Sequence, residues 1–165
     1  MGGSPRSGVL PNTDIARDGQ RRFLVMGPAC LHLRVLVVDD NRDAADTLAD
    51  LLRLCGGEVR VCYSAEAALE AIGEFDFEAG VLDIHMPGID GCQLARKLRD
   101  LTAPKRVLLV ALTGVSDEAA RKRTAEAGFD LHLTKASAPE VLVAALVAFS
   151  HWLAEHQPGE STSGS

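Results

Sequence analysis

Five short apolar runs alternate with five longer amphipathic segments between residues 33 and 156, and this alternation constrains the fold more than any other feature. A strand followed by a helix, repeated along the chain, is typical of a parallel α/β sheet covered by helices. Right-handed crossovers restrict the possible strand orders. We therefore predict a doubly wound, five-stranded parallel sheet in the order 2-1-3-4-5 with five helices.

The predicted strands and helices follow from hydrophobic period and from local start and stop residues. The strands are expected at 34–38, 58–62, 80–84, 106–112 and 131–134. The helices are expected at 42–55, 64–72, 91–101, 117–127 and 138–155. The first and fourth runs are continuously apolar, as expected of central strands, whereas the second and fifth suit sheet edges. Ser64 and Ser116 are the expected caps of the second and fourth helices.

Length and composition indicate one folded domain. We expect a disordered leader at 1–32, the domain at 33–156 and a disordered tail at 157–165. A net charge of -6 and only 4% aromatic residues argue against direct nucleic-acid binding. No run reaches the roughly 18 apolar residues of a membrane span, so no membrane partner is expected. Four cysteines without a CxxC pair suit buried thiols in a reducing compartment, which favours a cytoplasmic protein.

Acidic residues are predicted to meet at the ligand-binding edge of this sheet. Asp39 and Asp40 end the first strand and Asp83 lies at the end of the third, where a doubly wound sheet has its crevice. Two carboxylates about 4 Å apart repel by roughly 4 kcal/mol at an effective dielectric near 20. The three acids therefore predict either shared protons or a hard cation such as Mg2+. Asp39 and Asp40 alone would also suit a loop and a helix cap.

Two further side chains point to phosphoryl chemistry at the same edge. Thr113 ends the fourth strand and Lys135 follows the fifth. An acceptor carboxylate, a pair of metal-binding carboxylates, a hydroxyl and an ammonium around one crevice can neutralise and position a phosphoryl group. Taken singly, Thr113 also suits a neighbour of a helix cap and Lys135 a solvated charge.

Four parts of the sequence match a known family: Val37-Val38-Asp39-Asp40-Asn41, Asp83-Ile84-His85-Met86-Pro87-Gly88-Ile89-Asp90-Gly91, Ala111-Leu112-Thr113-Gly114, and Lys135. On these motifs the chain resembles, over residues 33–153, the receiver domains of two-component response regulators, which implies a protein of bacterial type. Asp39, Asp83, Thr113 and Lys135 are separated by 44, 30 and 22 positions, which also matches. The resemblance implies a flavodoxin-like α/β fold.

The resemblance also implies roles for single residues. Asp83 is expected to be the phosphoacceptor for a histidine kinase or a histidine phosphotransfer protein. Asp39, Asp40, Asp83 and the main-chain carbonyl of His85 are expected to bind Mg2+. Lys135 is expected to bind one phosphoryl oxygen, and Thr113 to move and bind another. The chain would then be a signalling phosphoacceptor and not an enzyme acting on a separate substrate.

Two positions depart from the commonest sequence of that family, and two others are expected to affect how long the phosphorylated state lasts. Ala136 replaces the usual proline after the lysine, so the Lys135–Ala136 bond is expected to be strained or trans. His132 stands at the position of the aromatic switch residue; it is either a pH-sensitive switch or a partly exposed histidine without a role. His85 and Val115 occupy positions that we expect to tune the lifetime of the phosphorylated state.

The role of one surface and the choice among three functions remain open at this stage. The apolar last helix either packs only on the core or also forms a homodimer or partner contact through the face of helix 4, strand 5 and helix 5. The leading function is a phosphorelay receiver, stand-alone or from a hybrid sensor kinase. The alternatives are a phosphorylation-independent interaction module and a Mg2+-dependent phosphatase. The phosphatase is disfavoured because position 41 is Asn, where such enzymes need a second aspartate.

Overall fold

The computed structural model describes residues 31–137 and 139–156. Within them, five parallel strands form one sheet in the order β2-β1-β3-β4-β5, which confirms the predicted topology. The strands are β1 (Arg34–Val38), β2 (Glu58–Cys62), β3 (Ala79–Asp83), β4 (Leu108–Thr113) and β5 (Leu131–Thr134). The helices in the described residues are α1 (Arg42–Leu54), α2 (Ala65–Ala71), α3 (Gly91–Thr102), α4 (Glu118–Ala127) and α5 (Pro139–His156).

Apolar side chains alternate between the two faces of the sheet and pack against two helical layers. On one face Leu36 and Leu82 contact the layer that contains α2, α3 and the end of α4. On the other face Val37 and Val81 contact α1 and α5. Each fully buried leucine or valine stabilises the fold by about 1.5–3 kcal/mol. The two layers thus hold the strands in a fixed register, with all strand ends at one edge.

The start of β4 is the largest departure from the predicted bounds. The apolar run suggested a strand from residue 106, but pairing with β3 begins with Ala79 opposite Leu108. The carbonyl of Val107 instead accepts a hydrogen bond from Nη1 of Arg99 across 2.7 Å. The apolar run is therefore longer than the strand, because a side chain from α3 occupies its first carbonyl.

Helix caps agree with the sequence at one predicted position and differ at the other. Ser64 caps α2, and its side chain accepts the N–H of Ala67. At α4 the cap is Asp117, whose side chain accepts the N–H of Ala120, and the Ser116 hydroxyl instead accepts a hydrogen bond from Arg121. Asp117 has the stronger acceptor, so the helix begins one residue later than predicted.

The last helix is mainly a core element. Of its side chains, Leu142, Val143, Leu146, Val147 and Phe149 are buried. Val141 and Trp152 remain exposed. Leu31, the first described residue, is also buried and donates its N–H to the carbonyl of Cys55. Leu31 and His32, at the end of the predicted leader, are thus described, whereas residues 1–30 and the predicted tail lie outside the described residues.

Candidate functional site

Three carboxylates converge where β1 and β3 end, at the edge where the winding of the sheet reverses. Asp39 and Asp40 directly follow β1, and Asp83 is the last residue of β3. One carboxylate oxygen from each lies within 4.8 Å of the others. The structure thus brings together the three acids that the sequence predicts to meet.

The backbone after β1 holds Asp39 in the buried part of this cluster. Its N–H donates to the carbonyl of Cys62 across 3.1 Å, so the contact between β1 and β2 continues past the strand. Asp39 is 6% exposed, and its Oδ1 accepts the N–H of Asn41 at 3.0 Å. Asn41 also caps α1 by accepting the N–H of Ala44. The helix therefore begins beside the acids, with Asp40 exposed.

Gly91 allows α3 to begin against the end of β3. Its N–H donates to the carbonyl of Ile84 at 3.0 Å. A Cβ at this position would lie 2.8 Å from the Ile84 Cα and closer still to the Asp83 carbonyl oxygen, so a larger residue would displace the end of β3. This role of Gly91 was not predicted from the sequence. The available signal was a glycine at the first helical position, directly after the capping residue Asp90.

Lys135 reaches across the edge of the sheet to both buried carboxylates. Its Nζ lies 3.1 Å from Oδ2 of Asp39 and 3.3 Å from Oδ1 of Asp83. Its backbone N–H donates to the carbonyl of Thr113 across 2.7 Å, which fixes the start of the loop. The Lys135–Ala136 peptide bond is trans. The ammonium group reaches both acids without a proline after the lysine.

Burial and mutual repulsion disfavour the ionised form of Asp83. Burial raises its pKa and the charge of Asp39 raises it further; together they outweigh Lys135 and give a pKa of about 6. For Lys135, burial works against the charged form, but hydrogen bonds and charges from Asp39 and Asp83 outweigh it and raise its pKa. Lys135 is therefore an ammonium ion at neutral pH, and it contacts two of the three carboxylates, those of Asp39 and Asp83.

This donor set fits a hard divalent cation. Mg2+ accepts carboxylate oxygens together with water, and three such oxygens lie within 4.8 Å of one another here. Burial, and after it the charge of Asp39, raises the pKa of Asp83 despite the nearby Lys135, so a bound cation would favour its ionised form. Asp39, Asp40 and Asp83 are the side chains that would hold the ion. His85 follows β3, and its N–H lies 3.3 Å from Asp83 Oδ1; its carbonyl remains a predicted ligand.

Thr113 is the last residue of β4 and is 1% exposed. Its hydroxyl donates to the carbonyl of Val115 at 2.9 Å and accepts the N–H of Val115 at 3.3 Å. The hydroxyl is thus engaged by the loop between β4 and α4. Val115 itself is 63% exposed.

His132 lies half-buried in β5, opposite Ala111. Its Nδ1 is 2.9 Å from Oγ1 of Thr124 in α4. Because the Thr124 hydroxyl donates to the Arg121 carbonyl at 3.0 Å, we assign the proton of the second bond to His132 Nδ1. Its Nε2 is buried and has no hydrogen-bond partner among the described residues. Burial lowers the pKa of His132, and the charge of Arg121 lowers it further. The charge of Asp117 acts in the opposite direction but does not outweigh them.

An apolar groove of about 460 Å³ lies beside the acids, between α1 and the start of α5. Five leucines line it: Leu48, Leu51, Leu112, Leu133 and Leu142. Asp39 and Lys135 belong to both the groove and the acidic cluster. Groove and cluster therefore form one continuous concave surface.

Together, the reversing parallel sheet, its acidic edge and the lysine after β5 define a doubly wound α/β domain with a charged site. The family model described as the response regulator receiver domain matches residues 35–147. The chain belongs to this family, which confirms the resemblance seen in the sequence.

Similar proteins agree with this assignment. The chain is 41% identical to the transcriptional regulatory protein CutR of Streptomyces coelicolor over 113 residues, which cover 68% of this chain and 51% of CutR. It is 34% identical to a putative response regulator of Chloroflexus aurantiacus, with a TM-score of 0.64, covering 70% of this chain and 98% of that one. A Burkholderia pseudomallei response regulator, solved with a phosphorylated aspartic acid, a calcium ion and citrate, is 30% identical with a TM-score of 0.65; the match covers 79% and 75% of the two chains. The chain thus spans about half the length of CutR.

None of the helices in the described residues has both the length and the apolar character needed to cross a bilayer.

Proposed function

We propose that this chain is a phosphoacceptor of a two-component phosphorelay, with Asp83 as the residue that receives the phosphoryl group. The observation that carries the proposal is the position of Lys135 Nζ, 3.1 Å from Asp39 and 3.3 Å from Asp83 at the acidic edge. An ammonium so placed can bind an oxygen of a phosphoryl group bonded to Asp83. Asp83 is 4% exposed, yet it belongs to the crevice at this edge.

The reaction is a transfer between two anions. A carboxylate oxygen of Asp83 forms a bond to the phosphorus of a phosphohistidine, while the P–N bond breaks and its electron pair returns to the imidazole nitrogen. The product is an aspartyl phosphate and a free histidine on the donor. Lys135 offsets the charge that gathers on the phosphoryl oxygens. Asp39 also holds this ammonium, through its contact with Lys135 Nζ at 3.1 Å.

Mg2+ is the cofactor we propose. When bound by Asp39, Asp40 and Asp83, it would supply positive charge for the incoming phosphoryl oxygens. The Burkholderia pseudomallei relative supports this assignment, because its structure combines a phosphorylated aspartic acid with a divalent cation. The separation of the acids and the raised pKa of Asp83 support it independently.

The proposed donor is a protein, namely a histidine kinase or a histidine phosphotransfer protein. The leucine-lined groove beside the acids supports this choice, because an apolar surface can pack against a protein partner but adds no favourable contact for a small anionic donor. We further propose that the chain acts in the cytoplasm as a signalling domain and not as an enzyme with a separate substrate. A homodimer through the face of α4, β5 and α5 remains a prediction, to which the exposed Val141 and Trp152 lend an apolar surface.

The test is incubation with Mg2+ and a small phosphodonor, followed by intact-protein mass spectrometry. We expect the wild type to gain one phosphoryl group and Asp83→Asn to gain none. Asp43→Asn is the matched control, because Asp43 is an exposed acid in the first turn of α1. Absence of the adduct on the wild type would reject phosphorylation and favour an interaction module that works without it.

A further inference from the structure

The loop that carries Lys135 is closed by two hydrogen bonds between the same pair of residues. The N–H of Ser137 donates to the carbonyl of Thr134 across 2.9 Å, which forms a tight turn. The hydroxyl oxygens of Thr134 and Ser137 also lie 2.9 Å apart, within hydrogen-bond distance. Lys135 and Ala136 occupy the two central positions of this turn.

This turn restricts a side chain that would otherwise be mobile. A lysine side chain carries about 2 kcal/mol of rotamer entropy, and Lys135 is 35% exposed. Its Nζ can remain beside two carboxylates only if its Cα is held at a suitable position. The Lys135 N–H bond to Thr113 holds the chain before the turn, and Ser137 holds the chain after it. Ala136, with its trans bond and small side chain, provides no comparable restraint.

We propose that the Ser137 hydroxyl, through its contact with Thr134, positions Lys135 for the phosphoryl group. Thr134 and Ser137 are positioning residues in this proposal, since neither contacts Asp83. The inference rests on the proposed function and adds two residues to its machinery. Neither residue was predicted from the sequence, because each is a small polar residue at or just after the end of β5, without a distinguishing pattern.

The first measurement is the rate of phosphorylation by a small phosphodonor with Mg2+. Ser137→Ala and Thr134→Val should each lower the rate about fivefold, the factor that corresponds to one ordinary hydrogen bond. Ser137→Thr keeps a hydroxyl and should restore the rate to within about twofold. Ser150→Ala is the matched control, because Ser150 lies in α5, away from the loop, and its hydroxyl donates to the His32 carbonyl. An undiminished rate in Ser137→Ala overturns the inference.

The second measurement separates positioning of Lys135 from a general loss of structure. In a Lys135→Gln background, Ser137→Ala should cause no further loss of rate, because the group that it positions is absent. An equal loss in both backgrounds would show a structural role and overturn the inference. If Lys135→Gln reacts too slowly, the nuclear magnetic resonance signal of Lys135 Nζ decides. It should shift or broaden in Ser137→Ala, and an unchanged signal overturns the inference.

The outcomes also separate this inference from the proposed function. Failure of the wild type to take up a phosphoryl group rejects the proposed function. Normal uptake by the wild type with an unaffected Ser137→Ala variant rejects only the role of the turn.

Discussion

The hydroxyl of Thr113 donates to the main-chain carbonyl of Val115 across 2.9 Å, and this bond ties the end of β4 to the loop that leads into α4. If the hydroxyl turns toward a phosphoryl group on Asp83, the bond to Val115 breaks. Thr113→Val should therefore accept a phosphoryl group while its β4–α4 loop no longer responds. The amide signals of Val115 and Ser116, followed by nuclear magnetic resonance before and after phosphorylation, measure the response.

The control for this prediction is Thr102→Val. Thr102 lies at the end of α3, where its hydroxyl donates to the Leu98 carbonyl, so the loop response should be unchanged. A full response of Val115 in Thr113→Val would contradict the coupling.

Asp83→Asn should stabilise the metal-free protein at pH 7.5. The pKa of Asp83 is raised to about 6 in the folded state from an ordinary 3.8, so the ionised carboxylate opposes folding. One pKa unit corresponds to 1.36 kcal/mol, which makes the expected gain on the order of 2–3 kcal/mol. Urea unfolding in the presence of a chelator measures it, with Asp43→Asn as the control.

The same shift fixes the sign of a pH effect. A carboxyl with a raised folded-state pKa binds more protons in the folded state between pH 3.8 and about 6, so its contribution to stability grows as the pH falls through this range. Asp83→Asn should lack this contribution. A wild type and variant with parallel stability profiles from pH 7 to pH 5 would contradict the assignment.

Mg2+ should raise the melting temperature of the wild type. A ligand at 100 times its Kd stabilises by about 2.7 kcal/mol, which shifts the Tm of a domain of this size by roughly 5 °C or more. Asp40→Asn should weaken the shift, because Asp40 is an exposed acid whose loss leaves the core intact. Asp43→Asn should retain it in full. Equal shifts in the wild type and Asp40→Asn would remove Asp40 from the metal site.

Gly91→Ala should destabilise the domain although alanine favours helices. Helix propensity favours alanine by up to about 1 kcal/mol, but forced overpacking costs about 1–3 kcal/mol. The added Cβ would press on Ile84 and on the Asp83 carbonyl, so phosphorylation should also slow. Gly114→Ala is the matched control, because no atom lies within 4 Å of its added Cβ. Urea unfolding and the phosphorylation rate test both effects; equal behaviour of the two variants would contradict the argument.

His132 should make the domain less stable as the pH falls. Burial lowers its pKa in the folded state, so the unfolded chain takes up a proton near the ordinary pKa of 6.5 before the folded chain does. This contribution is present above pH 6.5 and is lost below it. In an Asp83→Asn background, His132→Phe should flatten the decline in unfolding free energy between pH 7 and pH 5. His151→Gln, at an exposed position of α5, should not; an equal flattening there would contradict the role of burial.

Sequence patterns predicted the fold and the charged edge because both depend on short-range features. The run from Arg34 to Val38 is a strand in both descriptions, and the topology alone places Asp39 and Asp83 together. The structural features that the sequence did not predict depend on contacts between segments that are distant along the chain. Arg99 donates a hydrogen bond to the Val107 carbonyl just before β4 begins, and Gly91 lies against the backbone of Asp83. Residue spacing predicts neither contact.

The contacts of individual side chains also could not be predicted from the sequence. The position of His132 in β5 was predictable, but its hydrogen bond to Thr124 depends on how α4 lies on the sheet. Similarly, the choice of Asp117 over Ser116 as helix cap depends on the path of the loop after β4. Such details follow from packing, which residue spacing does not determine.

Helix α4 buries only Thr124 and Ala127, whereas α3, of similar length, buries five residues. Free energy of burial scales with apolar area at about 25 cal/mol per Å², so two small side chains attach α4 weakly. The element next to the Thr113 loop can therefore change position at little cost while the rest of the domain stays rigid. Bulky apolar residues at these two positions would hold α4 firmly against the sheet, and a charge added at the sheet edge could then no longer shift this helix.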